Sequence, residues 1–178
     1  YEILYHGENQ AYGGEQPKNS NDFAVADTVY NVLTQNVEKI FKGTLHFMTF
    51  TTTLLMKKAP RLFEKEGLVI QIDDSVIIHP LAMHFVQMYK REGYRIAVDE
   101  FQFAPRYLSL IGEIDYIKLN FKSLSDLTLH NVVEIAHSMG KQCIATGIDD
   151  EALYQKACNM SVDALEGSYV AGKLATKA

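Results

Sequence analysis

The sequence is poor in cysteine, carries no excess of positive charge and has no long apolar run. Two cysteines, Cys143 and Cys158, are too few for a disulfide framework in 178 residues, so a reducing, cytoplasmic setting is expected. Both read as packing residues rather than nucleophiles. Seventeen Lys and Arg face 22 Asp and Glu, a net charge of −5, which argues against a nucleic-acid polymer as partner. Lys57, Lys58 and Arg61 form a small basic cluster that reads as a solvated helix face. No apolar run reaches the roughly 18 residues of a membrane span, and the opening Tyr1-Glu2-Ile3-Leu4-Tyr5 reads as a strand, not a signal peptide. No GxGxxG or Walker-type loop is present, which removes the phosphate cradle of dinucleotide and P-loop sites. The histidines His6, His46, His79, His84, His130 and His137 show no metal-binding spacing; His79 and His84 are five apart and miss the i, i+4 pairing of a helical zinc site.

What is present is 47% hydrophobic residues, enough for the core of one domain over residues 1–178. The lack of an initiator Met, with a strand at the very start, leads to the expectation of a piece of a longer protein. Seven strands are predicted, at Tyr1–Tyr5, Leu45–Phe50, Leu68–Asp73, Tyr94–Asp99, Tyr116–Asn120, Gln142–Gly147 and Val162–Glu166. Continuous apolar stretches such as Leu68-Val69-Ile70 suit strands buried on both faces, as in parallel sheets.

Helices are expected between them. Asp22–Phe41 carries an apolar stripe through Ala26, Val29, Leu33 and Val37. Pro80 is expected at a first helical position ahead of Met83, Val86 and Tyr89, and Pro105 at another. Ser125 or Asp126 caps a helix whose apolar residues are Leu129, Val132, Ala136 and Met139. Asp149 or Asp150 caps the last one, around Leu153 and Ala157. The polar stretch Gly7–Asn21 reads as a loop. The six later strands begin about 23 residues apart, since residues 45 to 162 hold five steps. Seven strands exceed a flavodoxin-like sheet and suit a (β/α)8 barrel that lacks its first strand.

In such a barrel, chemistry sits at the C-terminal ends of the strands. Those ends offer Glu2 or His6, Thr49, Gln71 with Asp73 and Asp74, Asp99-Glu100, Lys118 with Asn120, Thr146 with Asp149, and Glu166. Converging carboxylates can hold Mg²⁺ or Mn²⁺, and two such ions can stabilise the attacking and leaving oxygens of a phosphodiester. The plainer alternative is that these are polar strand ends that cap helices.

Glu2-Ile3-Leu4, Asp99-Glu100-Phe101, Ile117-Lys118-Leu119-Asn120, Ala145-Thr146-Gly147-Ile148-Asp149 and Glu166-Gly167 resemble, in order, the motifs of EAL domains. These are cyclic di-GMP phosphodiesterases of bacterial signalling, built on a TIM-like barrel whose first strand runs antiparallel. The chain is most similar to the short EAL domains that precede an HDOD domain. The resemblance implies metal ligands at Glu2, Asp99 and Glu100 and a catalytic lysine at Lys118, here vestigial. It also marks substitutions: His6 for an arginine that contacts phosphate, Thr49 for an asparagine ligand, Gln71 and Thr146 for glutamates, Asn120 for an aspartate, Asp149 for a glutamate and Glu166 for a glutamine. The loop Phe101–Arg106 lacks the family's glycines. Phe101 and Arg106 are candidate ligand contacts there; the aromatic group of Phe101, Phe103 and Tyr107 can either stack on a base or fill the emptied site.

The resemblance therefore implies a degenerate EAL domain, more a regulatory or protein-interaction module than an enzyme, with no cofactor expected. If an ion binds, Mg²⁺ or Mn²⁺ is expected. The alternatives are a cyclic di-GMP receptor without hydrolysis and a weak metal-dependent phosphodiesterase. An adjoining HDOD domain, another protein or a second copy of the chain are the expected partners.

Overall fold

The computed structural model describes residues 2–3 and 45–175. The stripe at Asp22–Phe41, the loop at Gly7–Asn21 and His6 lie outside the described residues. Seven parallel strands form one sheet in the order of the sequence: β1 Glu2–Ile3, β2 His46–Thr49, β3 Leu68–Ile72, β4 Arg95–Val98, β5 Tyr116–Asn120, β6 Gln142–Thr146 and β7 Ala164–Leu165. All seven expected strands are found.

Register and side-chain parity divide the sheet into two faces. Met48, Ile70, Ile72, Ile96, Val98, Ile117, Leu119, Cys143 and Ala145 share one face and are all buried. They form the layer on which the helices pack, and this outer face explains the apolar runs. The other face alternates with it. There Thr49 pairs with Gln71 and Asn120 with Thr146, while Lys118 lies beside Ile144. The strands are therefore not uniformly apolar. Polar residues interrupt the inner face near the C-terminal ends of β2, β3, β5 and β6: Thr49, Gln71, Lys118 with Asn120, and Thr146.

The connections are α1 Thr52–Met56, a 3-10 turn Ala59–Leu62, α2 Asp74–Ile77, α3 Ala82–Arg91, α4 Pro105–Leu108, α5 Asp126–Ser138, α6 Glu151–Asn159 and α7 Ser168–Ala175. Ser125 caps α5 by accepting the Thr128 N–H, and Asp150, not Asp149, caps α6 by accepting from Leu153. Each satisfies one otherwise orphaned amide of a first turn. Pro105 opens α4 as expected.

Four expectations need correction. Helix α3 begins at Ala82, and Pro80 stands in the turn before it. Met139 follows α5 and is 47% exposed rather than core. Helix α7 comes after the one expected to be last. The cluster of Lys57, Lys58 and Arg61 does not share a helix face: Lys57 ends α1, Lys58 is left-handed at φ 61°, and Arg61 lies on the 3-10 turn, bonded to Glu92. No helix among the described residues is long and apolar enough to cross a membrane.

Candidate functional site

The C-terminal ends of the strands bring most of the expected residues to one rim. At its centre is Lys118, on the inner face of β5 and only 1% exposed. Its Nζ lies 2.8 Å from Glu166 Oε2, which follows β7 and keeps a 41% exposed side chain. The ammonium also stands 5.1 Å from the centroid of the Phe47 ring, a distance suited to cation–π attraction. A buried ammonium is costly unless it is paired, and the Glu166 carboxylate helps to make a charged Lys118 tolerable here.

To one side, β2 and β3 contribute neutral groups. Gln71, 1% exposed, donates from Nε2 to Thr49 Oγ1 at 3.0 Å. On the other side, buried Thr146 donates to the Leu119 carbonyl at 3.4 Å. Thr49, Gln71 and Thr146 thus each bond within the protein and bring no negative charge.

The paired acids sit just beyond β4. Asp99 Oδ1 accepts the N–H of Glu100 at 2.9 Å. Glu100 has φ +47°, a left-handed conformation uncommon outside glycine and asparagine. Its exposed carboxylate accepts from Asn120 Nδ2 at 3.1 and 3.3 Å. Asn120 therefore bridges, because its Oδ1 also accepts the Lys122 N–H at 2.9 Å. Glu2 lies on β1 in register with Phe47.

Asp149 belongs to a separate surface group. It is paired with Lys122, and its Oδ1 accepts the Ser168 hydroxyl at 2.9 Å and the Ser168 N–H at 3.2 Å. The bond from Lys122, helped by Ser168, holds its carboxyl down to about 2. Asp73 and Asp74, expected at the rim, serve local structure. Asp73 caps α2 through Ser75, and Asp74 accepts from the Tyr107 hydroxyl at 2.8 Å and from Arg106 at 3.0 Å. Those two bonds lower the Asp74 pKa.

Phe101, expected as a ligand-facing ring, is a core residue. It is 1% exposed and packs edge-on against buried Tyr107 at 5.3 Å. Of the three aromatic residues only Phe103 is open, at 50% exposure. Arg106 is exposed and directed to Asp74. Sequence reasoning missed this Asp74–Arg106–Tyr107 group and the role of Lys122, because their partners are distant in sequence and carry no motif.

Residues 45–173 match the EAL domain family. The chain belongs to the EAL family. The uncharacterized protein YuxH of Bacillus subtilis is 25% identical over 176 residues, 95% of this chain and 42% of YuxH. Among solved structures, the Bacillus subtilis YkuI protein, with an EAL domain and in complex with substrate c-di-GMP and calcium, superposes with a TM-score of 0.67 at 19% identity, covering 96% of this chain and 50% of that one. The EAL domain of Xanthomonas citri FimX, in complex with c-diGMP, gives 0.63 at 15% identity, covering 83% and 66%. The chain thus spans well under two thirds of YuxH. These structural likenesses establish the shared fold, a parallel sheet curled as in the TIM-like barrel of EAL domains. The family match begins at residue 45, so Glu2 and Ile3 enter through their strand pairing alone.

EAL domains are associated with divalent cations, and the donors here can be tested against that need. Two ions require several converging anionic oxygens. Among residues 45–172, Asp99 and Glu100 are joined by no third ligating side chain within reach. The nearby inner-face positions hold Thr49, Gln71 and Thr146, and the Glu166 carboxylate is engaged with Lys118. Without Glu2, these residues do not supply the ligands of a two-ion centre.

Proposed function

We propose that this EAL domain does not hydrolyse cyclic di-GMP. It acts as a cytoplasmic regulatory or protein-interaction module in bacterial cyclic di-GMP-related signalling. The reading rests on the closed Lys118–Glu166 pair at 2.8 Å. A lysine that must orient a water or neutralise phosphate is here neutralised by the protein itself. The uncharged Thr49, Gln71 and Thr146 beside it support the same reading. An adjoining HDOD domain, or a second copy of the chain, is the partner to seek first.

A receptor for cyclic di-GMP is the second reading. YkuI and FimX are solved with that nucleotide, and binding needs fewer groups than activating a water. The third is slow hydrolysis with one Mg²⁺ or Mn²⁺ on Glu2, Asp99 and Glu100. One experiment separates them: calorimetric titration of cyclic di-GMP with Mg²⁺ present, followed by product analysis after incubation with Mn²⁺. A folded protein that gives neither heat nor product supports the module. Saturable heat without product makes it a receptor. Linearised product at a normal enzyme rate overturns the proposal.

A further inference from the structure

We infer that the protein carries a second site, remote from the rim, for one thiophilic divalent cation of the zinc class, held by His137, Cys143 and Asp163. The three residues come from separate elements: the last turn of α5, the second residue of β6, and the link entering β7. Their donor atoms all lie within 4.8 Å of one another. Cys143 is on the helix-facing side of the sheet and Thr146 on the inner side, three residues further along the strand. That puts the cluster about 10 Å from the rim along β6.

The fold assembles these donors before any ion arrives. Asp163 and Cys143 are clamped to each other by the backbone. The Cys143 N–H donates to Asp163 Oδ2 at 2.7 Å, and the Asp163 N–H donates to the Cys143 carbonyl at 2.9 Å. His137 Nε2 reaches the same Oδ2 at 2.8 Å. Cys143 forms a fully buried floor, while the His137 and Asp163 side chains are 35% and 36% exposed and leave a path from solvent.

Donor type selects the ion. One sulfur, one imidazole nitrogen and one carboxylate oxygen suit Zn²⁺ or Co²⁺, whereas Mg²⁺ and Ca²⁺ require mostly oxygen. Three protein ligands leave the fourth tetrahedral position to water. On binding, the ion takes the place of the hydrogen between imidazole and carboxylate: the hydrogen leaves Nε2, and the neutral imidazole carries its one N–H at Nδ1, exchanged through solvent. The thiol becomes a thiolate and its proton passes to the buffer. Burial pushes the free thiol up to about 12, so without an ion Cys143 is an inert packing residue. Spacing alone could not reveal the site, because its ligands are scattered over 27 positions, from 137 to 163.

Titrating the full chain with Co²⁺ tests the proposal through the thiolate-to-cobalt absorption band. The band is expected to saturate at one ion per chain and to vanish when Zn²⁺ is added. Cys158→Ser should retain it and Cys143→Ser should abolish it. His137→Gln, at a partly exposed position that does not threaten the fold, should weaken cobalt binding at least roughly tenfold. Absence of a band from the folded parent, persistence in Cys143→Ser, loss in Cys158→Ser, or unchanged affinity in His137→Gln would each overturn it.

Discussion

Glu166→Gln isolates the interaction at the centre of the rim. It preserves shape and removes the charge that faces Lys118. Breaking a fully buried ion pair by deleting one partner costs about 3–5 kcal/mol. Lys118 is 1% exposed but the Glu166 side chain is 41% exposed, so water shares the load, and a loss of about 1–2 kcal/mol is expected. In a chain of this size that lowers the melting temperature by about 2–8 °C. Lys118→Met removes the buried ammonium, and the Glu166 side chain, 41% exposed, keeps its access to water, so stability should stay within about 1 kcal/mol of the parent. Adding Glu166→Gln to Lys118→Met should then cost almost nothing, since the two residues act as one unit. Thermal and urea unfolding of the four proteins measure this cycle. A Glu166→Gln variant as stable as the parent, beside a Lys118→Met variant that loses several kcal/mol, would show that the ammonium draws its support from elsewhere. Glu166→Gln also introduces the glutamine that the resemblance to EAL motifs implies at this position. It should still not release cyclic di-GMP hydrolysis, because Thr49, Gln71 and Thr146 continue to bring no anionic ligand.

Gly167→Ala should cost about 2–3 kcal/mol, because an added Cβ would stand 2.2 Å from the Ile148 carbonyl oxygen, in a backbone that cannot yield; urea unfolding reads the loss. Tyr89→Phe deletes the hydroxyl that donates to the Leu55 carbonyl at 2.6 Å and should cost about 1–2 kcal/mol. Burial pushes Tyr89 from 10.0 up to about 12, so its contribution is complete below its unfolded value and lost as pH climbs through that range. Tyr89→Phe should therefore show a flatter alkaline limb in stability measured against pH. The Asp149 carboxyl, held down to about 2, contributes stability above its ordinary 3.8 that is lost as pH falls through about 2. Lys122→Ala should move its NMR titration midpoint back toward 3.8.

The strands were legible because, buried His46 apart, the helix-facing residues of β2 to β6 are apolar, and β-branched residues such as Ile70, Ile96 and Val98 leave no helical period. Helix α2 was not, because Asp73 and Asp74 were taken for rim acids, whereas Asp73 is a cap and Asp74 an anchor for Arg106 and Tyr107. At the rim, residue types and order could be read, but their pairing could not. Lys118 meets Glu166 across 48 residues, and Asn120 meets Glu100 across 20. Only the sheet register brings such pairs together. Phe101 and Phe103 are two residues apart, yet one is buried and the other half exposed, a difference set by Tyr107 closing over Phe101.

The strictly sequential sheet has a consequence for how the chain is made. Among the described residues each strand bonds only to the strands immediately before and after it, so every strand leaving the ribosome finds a pairing neighbour already made. Folding can advance with synthesis, N-terminal end first. The growing sheet exposes one unpaired edge at a time, and that edge is the hazard. Pausing translation after β5 would leave Lys118 with its ammonium in place while Glu166, still 48 residues away, has yet to be made. Completion of β7 would then bring Glu166 to the Lys118 ammonium, so the charge at the centre of the rim is settled only after β5, β6 and β7 have joined the sheet.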